Sequence, residues 1–81
     1  MTQLTLYGKP GCHLCEEARA VVGSVRSRHP FDLVEVDITR DPVLEERYRE
    51  RIPVIAIDGQ ERLELVIEAT ELEQALASMA P

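Results

Sequence analysis

Cys12 and Cys15 are the only cysteines of the chain, and they lie in "YGKPGCHLCEEA" with His13 and Leu14 between them. A pair at this spacing can be half of a metal site, a structural staple or a redox dithiol. A structural zinc site takes about four ligands, and the chain adds only His13 and His29 to the two thiols, with no second C-x-x-C and no H-x-x-x-H pair. No metal is expected. A disulfide closing so short a loop restrains the unfolded chain little. A redox dithiol needs one thiol that ionises readily and a second within reach, and the start of a helix supplies both. Unpaired amides and the positive end of the helix dipole favour a thiolate at Cys12. Lowering a thiol from about 8.5 to about 7 takes roughly 2 kcal/mol. A residue three positions further along a helix has its Cβ about 5–6 Å away, within reach of disulfide geometry. Cys15, facing inward beside Leu14 and Ala18, is expected to keep its proton until a mixed disulfide forms on Cys12 and then to attack it.

The neighbours are charged in both senses. Lys9 is the only lysine in the chain and stands three positions before Cys12. It can offset nearby acids or steer an acidic partner. A protonated His13 would favour the Cys12 thiolate, whereas Glu16 and Glu17 suit the helix dipole but oppose a second negative charge.

The elements that must position this pair read clearly. "LTLY", Leu4 to Tyr7, is a strand that stops at Gly8, Pro10 and Gly11. From Cys12 the apolar residues Leu14, Ala18, Val21, Val22 and Val25 recur at helical spacing, and the helix ends before Pro30. "FDLVEVD", Phe31 to Asp37, has the pattern of a largely buried strand. Asp41-Pro42 opens a short charged helix running through Glu50, with aspartate as cap and proline in the first turn. Its arginines and glutamates read as a solvated face with local pairs. A strand from about Val54 to Ile57, an Asp58-Gly59 turn and a strand ending near Ile67 form a hairpin. Thr70 with Glu73 makes a capping box for a last helix, whose apolar stripe is Leu72, Ala75, Leu76 and Met79. The order is β-α-β-α-β-β-α, an α/β fold with a mixed four-stranded sheet, its first two strands parallel by a right-handed crossover and helices on both faces.

With 81 residues, 44% of them hydrophobic and 30% charged, the chain is expected to form a single domain over residues 1–81. Its formal net charge of -6 opposes nucleic-acid backbones and anionic lipid. The apolar runs "VIAI" and "LVI" fall far short of a membrane helix, and "MTQLTLYGK" has no signal-peptide pattern, so a cytoplasmic location is expected.

The chain as a whole resembles the glutaredoxin branch of the thioredoxin-like superfamily, through "YGKPGCHLC" after the first strand, "RIPVIAIDG" at the hairpin, and the element order. The resemblance implies a monomeric dithiol–disulfide oxidoreductase acting on protein disulfides or mixed disulfides. Cys12 would be its nucleophile and Cys15 its resolving thiol, with no bound cofactor and with electrons from thioredoxin reductase or glutathione. Pro53 matches the family's cis-proline facing the cysteines, and the backbone at Ile52 would pair with an extended substrate, alongside Lys9 and His13. The chain departs from the family where His13-Leu14 replaces Pro-Tyr and "IEATELEQ" replaces Gly-Gly followed by acids. Glu68 and Glu71 would repel the carboxylates of glutathione, while the amides under Thr70 could hold one. A different reading keeps the fold as a non-catalytic binding module, or as a metal or iron–sulfur carrier with a site shared between the Cys12 thiolates of two chains.

Overall fold

The computed structural model describes residues 2–78. The elements in chain order are β1 (Gln3–Gly8), α1 (His13–Arg28), β2 (Asp32–Asp37), a single 3-10 turn (Ile38–Arg40), α2 (Pro42–Tyr48), β3 (Val54–Ile57), β4 (Gln60–Glu64) and α3 (Ala69–Ser78). The sheet order is β2-β1-β3-β4. β1 and β2 are parallel, Gln3 opposite Asp32 through Gly8 opposite Asp37. β3 runs antiparallel to both β1 and β4, with Leu4 opposite Ile57 and Tyr7 opposite Val54. The expected α/β fold with a mixed four-stranded sheet is the one found.

Alternation along the two central strands sends side chains to two cores. Leu4 and Leu6 of β1 and Ile55 and Ile57 of β3 meet Ala18, Val22 and Val25 of α1 and Leu72 and Ala75 of α3. On the opposite face Val54 joins Ile38, Tyr48 and Ile52, with Tyr7 and Leu44 packed against them. α1 and α3 therefore cover one face, and the 3-10 turn with α2 covers the other. Burying each such aliphatic side chain contributes roughly 1.5–3 kcal/mol. All four residues of β3 are buried, as befits a central strand with both faces covered. The β3–β4 turn uses Asp58 and Gly59, both at positive φ (49° and 85°), the conformation a two-residue hairpin favours. Asp58 also ties the hairpin to β1. Its carboxylate accepts the Gln3 N–H at 2.9 Å, and its own N–H donates to the Gln3 carbonyl at 2.9 Å.

Four local expectations are corrected. α1 begins at His13, so its buried stripe is Cys15, Ala18, Val22 and Val25, while Leu14 is left 36% exposed. β2 is an edge strand and not a largely buried one: Leu33 packs against the core and Val34 faces outward. β4 stops at Glu64 because Leu65, at φ 67°, turns the chain out of the sheet. α3 starts at Ala69, which puts Thr70 inside the helix and leaves Glu68 before it, its carbonyl accepting the Leu72 N–H at 3.0 Å. Glu73 does not close a capping box. It reaches Arg28 of α1 at 2.7 Å. Met79 lies outside the described residues. Among the described residues no helix is long and apolar enough to cross a membrane.

Candidate functional site

β1 ends at Gly8, and the turn through Gly11, at φ 76°, delivers Cys12 to the N-cap position of α1. Only glycine takes that backbone conformation without strain. Cys12 is extended (φ -96°, ψ 113°), and its sulfur accepts the Cys15 backbone N–H at 3.2 Å, the role that serine or aspartate usually plays at this position. The two cysteines are joined as a disulfide, with their Cα atoms 5.2 Å apart, well inside the usual range. Cys12 is partly open to solvent and Cys15 is 3% exposed. The sequence pairing of an outer and an inner thiol is thus matched by burial.

The inner thiol is packed closely. A Cβ placed on Gly8 would lie 3.1 Å from the Cys15 sulfur and 3.3 Å from its Cβ, so Gly8 is a site residue that the sequence reading assigned only to a turn. Cys15 also lines a cleft of about 420 Å³ at the carboxyl ends of β1 and β2, which Lys9, Pro10, Arg19 and Asp37 border. Lys9 therefore lines the same cleft as Cys15. His13 is the first residue of α1. It is 85% exposed and pairs with Glu17 one turn along α1, Nε2 to carboxylate 2.9 Å.

The segment before β3 closes the other side. Ile52 and Val54 pack in one cluster with Cys12 and Cys15, and the Ile52–Pro53 peptide is cis, with Pro53 buried between them. The Ile52 N–H already donates to the Tyr48 carbonyl at 3.0 Å. The Pro53 carbonyl accepts the Leu65 N–H at 2.8 Å, which draws Leu65 into the rim of the site. No sequence signal marks Leu65, since leucine is a poor choice for a positive φ.

Beneath the dithiol Tyr7 and Tyr48 stack, ring centroids 4.6 Å apart. The Tyr48 hydroxyl donates to Glu61 at 2.9 Å, and Arg51 lies over the Tyr48 ring while pairing with Glu61 and Glu64 of β4. The pairing expected along α2 is thus replaced, for Arg51, by a bridge to β4. The Arg51 hydrogen bond, followed by that from Tyr48, holds the Glu61 carboxyl below the usual carboxylate range. Burial, followed by the bond to Glu61, raises the Tyr48 hydroxyl above its usual value. At the mouth of the cleft the Thr39 hydroxyl and amide both donate to Asp37 and lower its carboxyl. Among the described residues no group of three or more His, Cys, Asp or Glu side chains converges as metal ligands would.

The profile of the family described as Glutaredoxin-like domain (DUF836) matches residues 3–77. The crystal structure of protein XcR50 from X. campestris is similar to this chain, with a TM-score of 0.82, 34% sequence identity, and coverage of 96% of this chain and 99% of that one. The solution structure of protein Ne2328 from Nitrosomonas europaea follows at TM-score 0.79 and 26% identity, covering 91% and 89%. A thioredoxin from Halobacterium salinarum shares the fold at TM-score 0.72 and 19% identity, covering 99% of this chain and 78% of that one. Among curated sequences, the uncharacterized protein Rv0508 of Mycobacterium tuberculosis is 28% identical over 64 residues, 73% of this chain. The chain spans 66% of that relative's length, slightly under two thirds.

Proposed function

The chain belongs to the glutaredoxin-like domain family, and from that premise we propose that it is a thiol–disulfide oxidoreductase that reduces protein disulfides or mixed disulfides through Cys12 and Cys15. The observation that carries this reading is the inequality of the two sulfurs. Cys12 caps α1, partly open, with the Cys15 amide donating to its sulfur, and Cys15 is enclosed behind it. A donor aimed at a sulfur stabilises the thiolate, the form that attacks disulfides.

In the reduced protein the Cys12 thiolate attacks one sulfur of the partner's disulfide. The partner's S–S bond breaks, its other sulfur leaves as a thiolate and takes a proton, and Cys12 is left in a mixed disulfide. Cys15 then loses its proton and attacks the Cys12 sulfur, which releases the second partner thiol and forms the Cys12–Cys15 bond. The partner gains two electrons and two protons; the dithiol gives up both electrons and the Cys15 proton, and the other proton comes from solvent, where Cys12 released it on ionising. A Cα separation of 5.2 Å lets this bond form without moving the helix. An external thiol donor, thioredoxin reductase acting directly or glutathione, returns the electrons. Lys9 borders the cleft beside Cys15, and the Ile52–Pro53 segment offers a backbone edge to an extended monomeric encounter with substrate.

The test is alkylation of the reduced protein as a function of pH, read by mass at each cysteine, together with turnover of a mixed-disulfide substrate under both donors. Cys12 should react with a midpoint below that of a free cysteine, and substrate should be consumed with one donor. A midpoint at the free-thiol value with no turnover under either donor would overturn the proposal.

A further inference from the structure

We propose that Leu65 is a specificity-determining residue of the dithiol site, holding a strained backbone so as to present an apolar side chain to polypeptide disulfides that carry an apolar residue beside the cysteine in basic surroundings. The inference rests on the exchange chemistry proposed above and names the partner class for it.

Four described residues have a positive φ: Gly11, Asp58, Gly59 and Leu65. Glycine takes this region freely, and aspartate tolerates it in turns. Leucine does not, because its Cβ crowds the backbone. Such strain persists where the surroundings over-determine it, and it concentrates at binding sites. At Leu65 the constraint is visible: its N–H donates to the Pro53 carbonyl at 2.8 Å, and Pro53 sits between two residues packed against Cys12 and Cys15. Glycine would keep that hydrogen bond and relieve the strain.

Burial of Leu65 is only partial. Leu65 remains 42% exposed, and Val66 beside it is 63% exposed, while Ile67, the next residue, is the one that enters the core. Part of this strained aliphatic side chain therefore stays in water. From the other side of the dithiol Leu14, two residues after Cys12, is 36% exposed. Exposed apolar residues thus lie in the segment that holds the cysteines and in the one hydrogen-bonded to Pro53.

Charge selects the occupant. Glu16 and Glu68 are exposed near these residues, Glu17 and Glu64 pair with His13 and Arg51, and the chain as a whole carries a net charge of -6. A small anionic thiol is disfavoured by that field, and a basic polypeptide is attracted by it. The apolar contacts then discriminate among basic segments by the residue next to the cysteine.

Single-turnover reduction of two synthetic peptides tests this. Both carry an intramolecular disulfide and flanking lysines, one with leucine and one with glycine beside the attacked cysteine. Each peptide gains two electrons from the pre-reduced protein, which ends as the Cys12–Cys15 disulfide, and two protons, one from Cys15 and one from solvent. The wild type should reduce the leucine peptide faster, by about tenfold for one well-placed apolar contact. In Leu65→Gly that ratio should fall to within about twofold of unity, while the melting temperature rises; Leu65→Met should retain the ratio. A ratio unchanged in Leu65→Gly, or an equal loss on both peptides with a lower melting temperature, would overturn the inference. So would a wild type that reduces both peptides at one rate. A wild type that reduces neither would instead remove the exchange reading itself, and with it this inference.

Discussion

The sulfur of Cys12 accepts the backbone N–H of Cys15 at 3.2 Å, so the amide of the proposed resolving residue is a donor that would favour charge on the proposed attacking one. The two residues are unequal partners in one device, and their replacement should separate two steps. Cys12→Ser should reduce exchange to the uncatalysed background. Cys15→Ser should keep the first step and accumulate a stable mixed disulfide, since the Cys15 amide survives the substitution. Intact mass after mixing with a disulfide substrate distinguishes the two. Accumulation in Cys12→Ser instead would reverse the assignment.

Two glycines, one against Cys15 and one further along α1, should respond with opposite signs. Gly8→Ala places a Cβ 3.1 Å from the Cys15 sulfur, and overpacking of this kind costs about 1–3 kcal/mol. Gly23, in the interior of α1, has nothing within 4 Å of such a Cβ. Gly23→Ala should stabilise by about 0.5–1 kcal/mol through helix propensity. Urea denaturation of both variants, oxidised and reduced, measures this, and only Gly8→Ala should also change the dithiol's reduction potential.

The tyrosine pair under the site should be robust to loss of one hydroxyl. Tyr48→Phe keeps the stack on Tyr7 and loses the hydrogen bond to Glu61. A loss of about 1 kcal/mol is expected, read as a lower urea midpoint at unchanged slope. A loss several times larger would mean that the Arg51 bridge to β4 depends on that hydroxyl.

Stability should fall at both ends of the pH scale for identifiable reasons. Arg51 and Tyr48 hold the Glu61 carboxyl below its ordinary range, and Thr39 does the same for Asp37. A depressed folded value means that the contribution is present above the unfolded carboxylate value, about 4, and is lost as pH falls through the folded one. Tyr48 behaves in the opposite sense. Its raised value favours the neutral phenol in the fold, so that contribution is lost as pH rises through the folded tyrosine value. Melting curves across pH should show both limbs. Glu61→Gln should shrink the acid limb, and Tyr48→Phe the alkaline one.

Much of this was legible in the sequence, because the strong signals were local and agreed with one another. The Gly-Pro-Gly stop before Cys12, the Asp41-Pro42 start and the Asp58-Gly59 turn each require a particular backbone, and each element falls where these residues place it. The errors arose where local pattern competes with tertiary placement. Leu14 carries a helical period as well as Cys15 does, but the sheet under α1 decides which of them is buried. "FDLVEVD" reads as interior because Leu33 and Val34 are adjacent, yet only the strand order reveals an edge. Thr70 with Glu73 satisfies a capping pattern, but Ile67 must reach the core first, which draws α3 to an earlier start. Leu65 was hidden because its backbone conformation is one its residue type disfavours.

The absence of tryptophan and the placement of the tyrosines together make the protein its own indicator. The chain has two tyrosines and no tryptophan, and both rings belong to the cluster that packs around Cys12 and Cys15. A disulfide quenches the emission of an adjacent phenol more strongly than a pair of thiols does. Ultraviolet fluorescence should therefore brighten when the dithiol is reduced, following each turnover continuously, without a dye, a label or a coupled enzyme.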